Sequence, residues 1–265
     1  MMTLHLLLWK MRLQRSKLLL EVFGTCKVSL KSKELNVCTD NTTWKWNVEF
    51  PQLTYDTLNT RSAKKRANVI VSQSNSAEVK FSVPVAVGRK LCTLARNEPC
   101  LFSSEEELRT KIDVLSRTLL HQLLETALNK RDYSYYELKE KFIRLGYSSS
   151  LVQEILGHAQ EVDLIDDLRF ARIFVQQKHA SGWGPKKISL ELRRRGIDSS
   201  IIDQACAAYG LEEDEFQTAW RICQHKVFHA RDPYAQIVRF VCSKGFSPSV
   251  AYKVAKRLLS CDKDE

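Results

Sequence analysis

Three stretches decide the fold: Leu145-Gly146-Tyr147-Ser148-Ser149-Ser150-Leu151-Val152, Arg195-Gly196-Ile197-Asp198-Ser199-Ser200-Ile201-Ile202, and Lys244-Gly245-Phe246-Ser247-Pro248-Ser249-Val250-Ala251. Aligned on their glycines they stand 50 and 49 residues apart, and they use three of the nine glycines in the chain. Eight residues before each glycine lie Leu138, Ile188 and Ile237, four before lie Phe142, Leu192 and Val241, and one after lie Tyr147, Ile197 and Phe246. Apolar residues at i and i+4 give a helix one inward face, and a glycine just past its end takes the left-handed conformation that closes the last turn. The apolar residue after the glycine then packs back, and Ser148, Asp198 or Ser247 caps the helix that follows.

The same logic places the helix starts. Pro185 and Pro233 suit a first helical turn, where a missing N–H costs nothing, and Asp232 is placed to cap the helix of the third unit. Asp166 reads as another N-cap, bracketed by Ile165 and Phe170 as a hydrophobic staple. Each unit is therefore three helices, with boundaries at 104–162, 163–210 and 211–265, in a tandem array whose units bury apolar surface against themselves and their neighbours. Ser104 followed by Glu105, Glu106 and Glu107 marks the start of the helical part, since carboxylates favour the positive end of a helix.

Ahead of the repeats the period changes to two, the sign of strands with one buried face. Trp44, Trp46, Val48 and Phe50 share one side of a first strand; Val79, Phe81, Val83, Val85 and Val87 share one side of another, which Pro84 confines to an edge or a bulge. The polar run Ser72 to Ser76 separates that second strand from Asn68 to Val71, which reads as a hairpin. The expected class is thus mainly α: three tandem three-helix repeats, preceded by a small β-rich N-terminal module over 41–103 and a basic, poorly ordered leader over 1–40.

The 265 residues carry 41 Lys and Arg against 31 Asp and Glu, a formal charge of +10. Residues 1–103 hold 16 of those cations and 7 of the acids, so nearly all the excess lies ahead of the repeats. The basic run Arg61 to Arg66 falls in a loop of the β module and reads first as solvated surface. Within the repeats, Arg169 to Arg195 has eight basic residues and one acid, while Asp203 to Glu215 has five acids and no base. Such a dipolar surface suits a partner of mixed charge, or a nucleoprotein, better than bare polyanion. No apolar run approaches the roughly 20 residues of a membrane-spanning helix, so no membrane role is expected.

Catalytic patterns do not emerge. The chain has no Walker loop, GxGxxG, GxSxG or HExxH. Asp163, Asp166 and Asp167 together suggest metal-assisted chemistry, but helix capping accounts for Asp166 and the helix dipole favours Asp167. His225 and His229, beside Cys223, are four apart without a fourth ligand, so no metal site is assigned. The eight cysteines form no CxxC pair, and reduced thiols are expected. Binding is the better class, and the cations Arg169, Arg172, Lys186, Lys187, Arg193, Arg194 and Arg195 are the candidate contacts.

Asp163-Leu164-Ile165-Asp166-Asp167-Leu168-Arg169-Phe170-Ala171-Arg172, then Gly184-Pro185-Lys186-Lys187-Ile188, Leu192 and Arg195-Gly196-Ile197, resembles the central signature of the regulatory protein RecX family. The likeness extends over about residues 115–259. It implies a cytoplasmic, monomeric, non-enzymatic modulator without cofactor that lodges in the groove of the RecA filament on single-stranded DNA. There it would restrain recombination and co-protease activity in DNA repair and the SOS response. The resemblance carries no catalytic residues. The alternative from the residues alone is a helical nucleic-acid-binding protein that acts without RecA, driven by the basic first part.

Overall fold

A computed structural model describes residues 44–51, 66–73, 76–97, 102, 104–210, 215–224, 226–228 and 231–261. The leader 1–40, the run Arg61 to Lys65, and His225 and His229 lie outside the described residues. Two compact units divide the chain, residues 1–132 with 138–164, and residues 165–265 with 133–137.

In the first unit, β1 (Trp44–Glu49), β2 (Arg66–Gln73) and β3 (Ser76–Pro84) form an antiparallel sheet with β2 in the centre. The register sets Trp46 opposite Val71, Val48 opposite Val69, and Val69 opposite Phe81. Period two then puts Ala67, Val69, Val71 and Val83 on one buried face, with Trp46, Val48, Val79 and Phe81 packed around them. Two helices cover that face: α1 (Val85–Asn97) supplies Val87 and Leu91, and α2 (Glu105–Lys130) supplies Leu108, Ile112 and Leu115.

Val85 and Val87 do not extend the strand; they open α1. Pro84 is the last residue of the edge strand, where its missing N–H ends the ladder, and Val87 and Leu91 continue inward at helical rather than strand spacing. Gly88 lets the helix approach: a Cβ there would lie 3.1 Å from Val48 Cγ1 and 3.2 Å from Ala67 Cβ.

The first repeat follows as α2, α3 (Tyr135–Arg144) and α4 (Ser149–Glu161). Ser104 Oγ accepts the Glu107 N–H at 3.2 Å and three glutamates fill the first turn of α2, as its start requires.

The second unit holds the other two repeats. The second is α5 (Asp167–Ala180), α6 (Pro185–Arg194) and α7 (Ser199–Ala208) around Phe170, Phe174, Val175, Ile188, Leu192, Ile197 and Ile202. The third is α8 (Glu215–Gln224), α9 (Pro233–Ser243) and α10 (Pro248–Cys261) around Cys223, Ile237, Val241, Phe246, Ala251 and Val254.

The three glycine turns are copies of one another. Gly146, Gly196 and Gly245 have φ of 96°, 73° and 93°. The amide after each reaches back to the helix: Tyr147 N–H to Phe142 O at 3.3 Å, Ile197 N–H to Leu192 O at 3.1 Å, and Phe246 N–H to Val241 O at 3.4 Å. That six-to-one bond, with the glycine amides bonded to Ile143, Arg193 and Cys242, is the Schellman closure. All nine apolar positions read from the repeat are buried, none more than 4% exposed. Asp166, Asp198 and Asp232 cap α5, α7 and α9 through bonds to Arg169, Ser200 and Ala235 amides, and Pro185 and Pro233 open their helices.

Candidate interaction surface of the second repeat

Gly184-Pro185 fixes where α6 begins, and Ile188 and Leu192 turn its inner face to the core. The remaining side of the helix follows from that geometry. Lys186, Leu190 and Arg194 succeed one another at i, i+4 and i+8, with Arg193 beside them, and all four are exposed, Leu190 by 49%. An uncovered leucine within a cationic stripe is the pattern of a docking face with apolar centre and charged rim. Arg194 reaches only a loose contact, 3.9 Å from Glu191, and keeps 70% of its side chain in solvent. Among the described residues Lys186, Arg193 and Arg172 make no ion pair, and Arg172 is exposed on α5.

The other three candidates are held by the fold. Arg195 donates to Glu137 Oε1 at 2.5 Å and to Glu191 Oε1 at 3.1 and 3.2 Å, with its guanidinium 4.9 Å from the centre of the Phe174 ring. Its carbonyl accepts the Ser134 hydroxyl at 2.8 Å. Lys187 lies over the Trp183 ring at 4.6 Å and donates to Ser243 O at 3.4 Å. Arg169, 21% exposed, sits 3.7 Å from Asp166, the carboxylate that caps its own helix. The structure thus separates the seven cations into an outward group of Arg172, Lys186, Arg193 and Arg194 and an engaged group of Arg169, Lys187 and Arg195.

Sequence reading missed two side chains that pack with the engaged group, Lys178 and Trp183. Lys178 stands 4.9 Å from the Trp183 ring and 5.5 Å from the Phe174 ring, so cations and rings alternate as Lys187, Trp183, Lys178, Phe174 and Arg195. Each such contact contributes about 0.5–1 kcal/mol at exposed sites. The signal available beforehand was a tryptophan set between Lys178 and Lys187 at a glycine-bounded helix junction.

The acidic trio has structural employment. Asp166 Oδ1 accepts the Arg169 N–H at 2.9 Å, Asp167 Oδ1 accepts the Tyr135 N–H at 2.9 Å, and Asp163 takes a left-handed φ of 55° in the turn after α4. Burial pushes the Asp167 carboxyl up from its ordinary value, against the Tyr135 hydrogen bond, which lowers it. Burial likewise pushes the Cys223 thiol up to about 11. Among the described residues no three His, Cys, Asp or Glu side chains come together to hold a metal ion, and no helix is long and apolar enough to cross a membrane.

Comparison with known proteins places this geometry in a family. A family model described as RecX, second three-helix domain, matches residues 166–205, the span of α5 to α7. The regulatory protein RecX of Vibrio parahaemolyticus serotype O3:K6 is 33% identical over 125 residues, which cover 45% of this chain and 79% of that protein. The regulatory protein RecX of Legionella pneumophila strain Corby is 31% identical over 138 residues, covering 50% of this chain and 90% of that protein. Among solved structures, RecX from Lactobacillus salivarius aligns at 23% identity with a TM-score of 0.45, over 54% of this chain and 96% of that one. A matched second domain and relatives aligned over most of their own length lead to one statement: this chain belongs to the RecX family of regulatory proteins.

Proposed function

We propose that this protein regulates RecA without chemistry of its own, binding the filament on single-stranded DNA and restraining recombinase and co-protease activity in the cytoplasm. One observation beyond the family supports it: the exposed Lys186, Leu190, Arg193 and Arg194 stripe on α6. Bare polyanion has no use for a solvated leucine at the middle of its contact, whereas a protein surface with acidic residues around an apolar notch does. The role needs neither metal nor cofactor, and a monomer suffices for it.

The test is a titration of the purified chain into RecA filaments on single-stranded DNA, read by ATP hydrolysis and strand exchange. Wild type inhibits both, and the Leu190→Asp/Arg194→Glu variant inhibits at least tenfold less well, the loss expected for one interface hot spot. No effect of wild type in excess on the cognate filament overturns the reading. The basic first part favours the RecA-independent alternative, which requires single-strand affinity that falls steeply with salt and is unrelated to any effect on RecA.

A further inference from the structure

The second unit repeats one docking arrangement at two places. The residue that precedes a middle helix receives the carbonyl of the residue before the next glycine. Ser134, ahead of α3, donates its hydroxyl to Arg195 O at 2.8 Å; Gly184, ahead of α6, donates its N–H to Lys244 O at 2.8 Å. At the second place the backbones are so close that a Cβ on Gly184 would lie 2.4 Å from the Gly245 carbonyl carbon.

The third middle helix, α9, is preceded by Asp232. Its side chain is an acceptor, already holding the Ala235 N–H at 3.0 Å, and a carbonyl brought against that carboxylate would be repelled. Among the described residues no glycine turn bonds to Asp232. The third repeat carries different chemistry here. Tyr234 and Tyr252 lie stacked, ring centroids 6.5 Å apart and planes within 10°, yet they remain 40% and 53% exposed. Residues 231–261 carry six cations, Arg231, Arg239, Lys244, Lys253, Lys256 and Arg257, against the single carboxylate of Asp232. Arg231, Lys253 and Lys256 are exposed, Lys253 next to Tyr252 and Lys256 one turn beyond it.

We infer that the Tyr234–Tyr252 pair is a stacking platform for the bases of a single nucleic-acid strand, with Arg231, Lys253 and Lys256 meeting its phosphates. Paired open rings amid cations are how strands are held without sequence preference: every base has a π face, and the backbone supplies the charge. Within 231–261 the cations outnumber the carboxylate six to one, while the other acids of the third repeat gather in its first and last residues, at 212–215 and 262–265. The site needs no RecA, so it stands or falls apart from the regulatory reading.

Binding of the full-length protein to a labelled oligothymidylate of about 20 nucleotides, followed by fluorescence anisotropy, tests it. Tyr252→Ala and Tyr234→Ala should each weaken binding roughly tenfold, while Tyr252→Phe, which keeps the ring, stays near wild type. Lys253→Gln/Lys256→Gln should weaken binding and flatten its salt dependence by about two phosphate contacts. Circular dichroism melts of the alanine variants, matching wild type, exclude unfolding as the cause; should an alanine variant melt early, the lysine pair and Tyr252→Phe still decide. Absence of oligonucleotide binding by wild type, or alanine variants that bind as wild type does, overturns the inference. Alanine variants that bind the strand normally but lose inhibition of RecA overturn it too, and assign the pair to a protein contact. Tyrosine-dependent strand binding by a protein without effect on RecA removes the regulatory reading and leaves this one in place.

Discussion

A Cβ on Gly196 would lie 2.4 Å from Tyr136 Cβ and Cγ, and the residue's φ of 73° is one that β-branched side chains avoid. Gly196→Val is therefore expected to destabilise the protein by about 3 kcal/mol or more, combining backbone strain with displacement of a neighbour. Gly157 makes the opposite case. It sits inside α4, and a Cβ there meets nothing within 4 Å, so Gly157→Ala should stabilise by about 0.5–1 kcal/mol through the chain entropy it removes. Urea unfolding of both variants checks the pair, and a Gly196→Val midpoint equal to wild type would show that the turn does not need its left-handed residue. The glycines were legible beforehand as a spacing. Their neighbours were not: Tyr136 lies 60 residues from Gly196 in sequence, and nothing in the repeat pattern announces that the two touch.

On the scale of one helix, α6 shows why charge read from sequence divides imperfectly into function. Arg193, Arg194 and Arg195 are consecutive and chemically identical, and the helix points them differently. Arg195 lies between Glu137 and Glu191, 28% exposed, with the two carboxylates 18% and 27% exposed. Arg195→Ala leaves both acids half-buried without that partner and should cost about 2 kcal/mol of stability. Arg194→Ala, in solvent, should change stability by less than about 0.5 kcal/mol while weakening the proposed filament contact. Thermal melts beside RecA inhibition separate the two, and equal melting losses would mean that the Glu137 contact carries no weight. Sequence spacing assigned the helix, its proline start, its inward residues and its glycine stop, all set within the twelve residues 185–196. Arg195 to Glu137 spans 58 residues, and the cation–ring ladder through Trp183 depends on how the glycine-bounded junction folds back. The β3–α1 boundary was misread for a related reason. Valines two apart serve a strand and valines four apart serve a helix, and Val83, Val85, Val87 and Leu91 satisfy both until Pro84 decides.

In the molecule as a whole, stability in the second unit is distributed as in other tandem arrays: each repeat has its own core, and the joint between them is small. That joint contains Gly184 N–H to Lys244 O at 2.8 Å, Lys186 N–H to Gly245 O at 3.1 Å, and the buried bond between Thr218 Oγ1 and His179 Nε2 at 2.9 Å. Gly245, like Gly184, leaves no room for a side chain at the joint, since a Cβ there would lie 2.3 Å from Lys187 Cβ and 2.6 Å from Lys187 N, a backbone atom that cannot swing away. Gly245→Ala also strains a φ of 93°. Strain and the loss of two hydrogen bonds amount to about 3 kcal/mol, which falls on the third repeat because its helices α9 and α10 meet directly at this turn. Amide exchange in 233–261 should then accelerate by roughly a hundredfold, at about 1.4 kcal/mol per tenfold, while Phe170, Val175, Ile188 and Leu192 keep the protection of a core that does not include the altered turn. Hydrogen exchange followed by mass spectrometry resolves the two segments. Equal loss of protection in both would mean that the second unit opens as a single cooperative body, and that its repeats, distinct in sequence and in their buried clusters, are not distinct in energy.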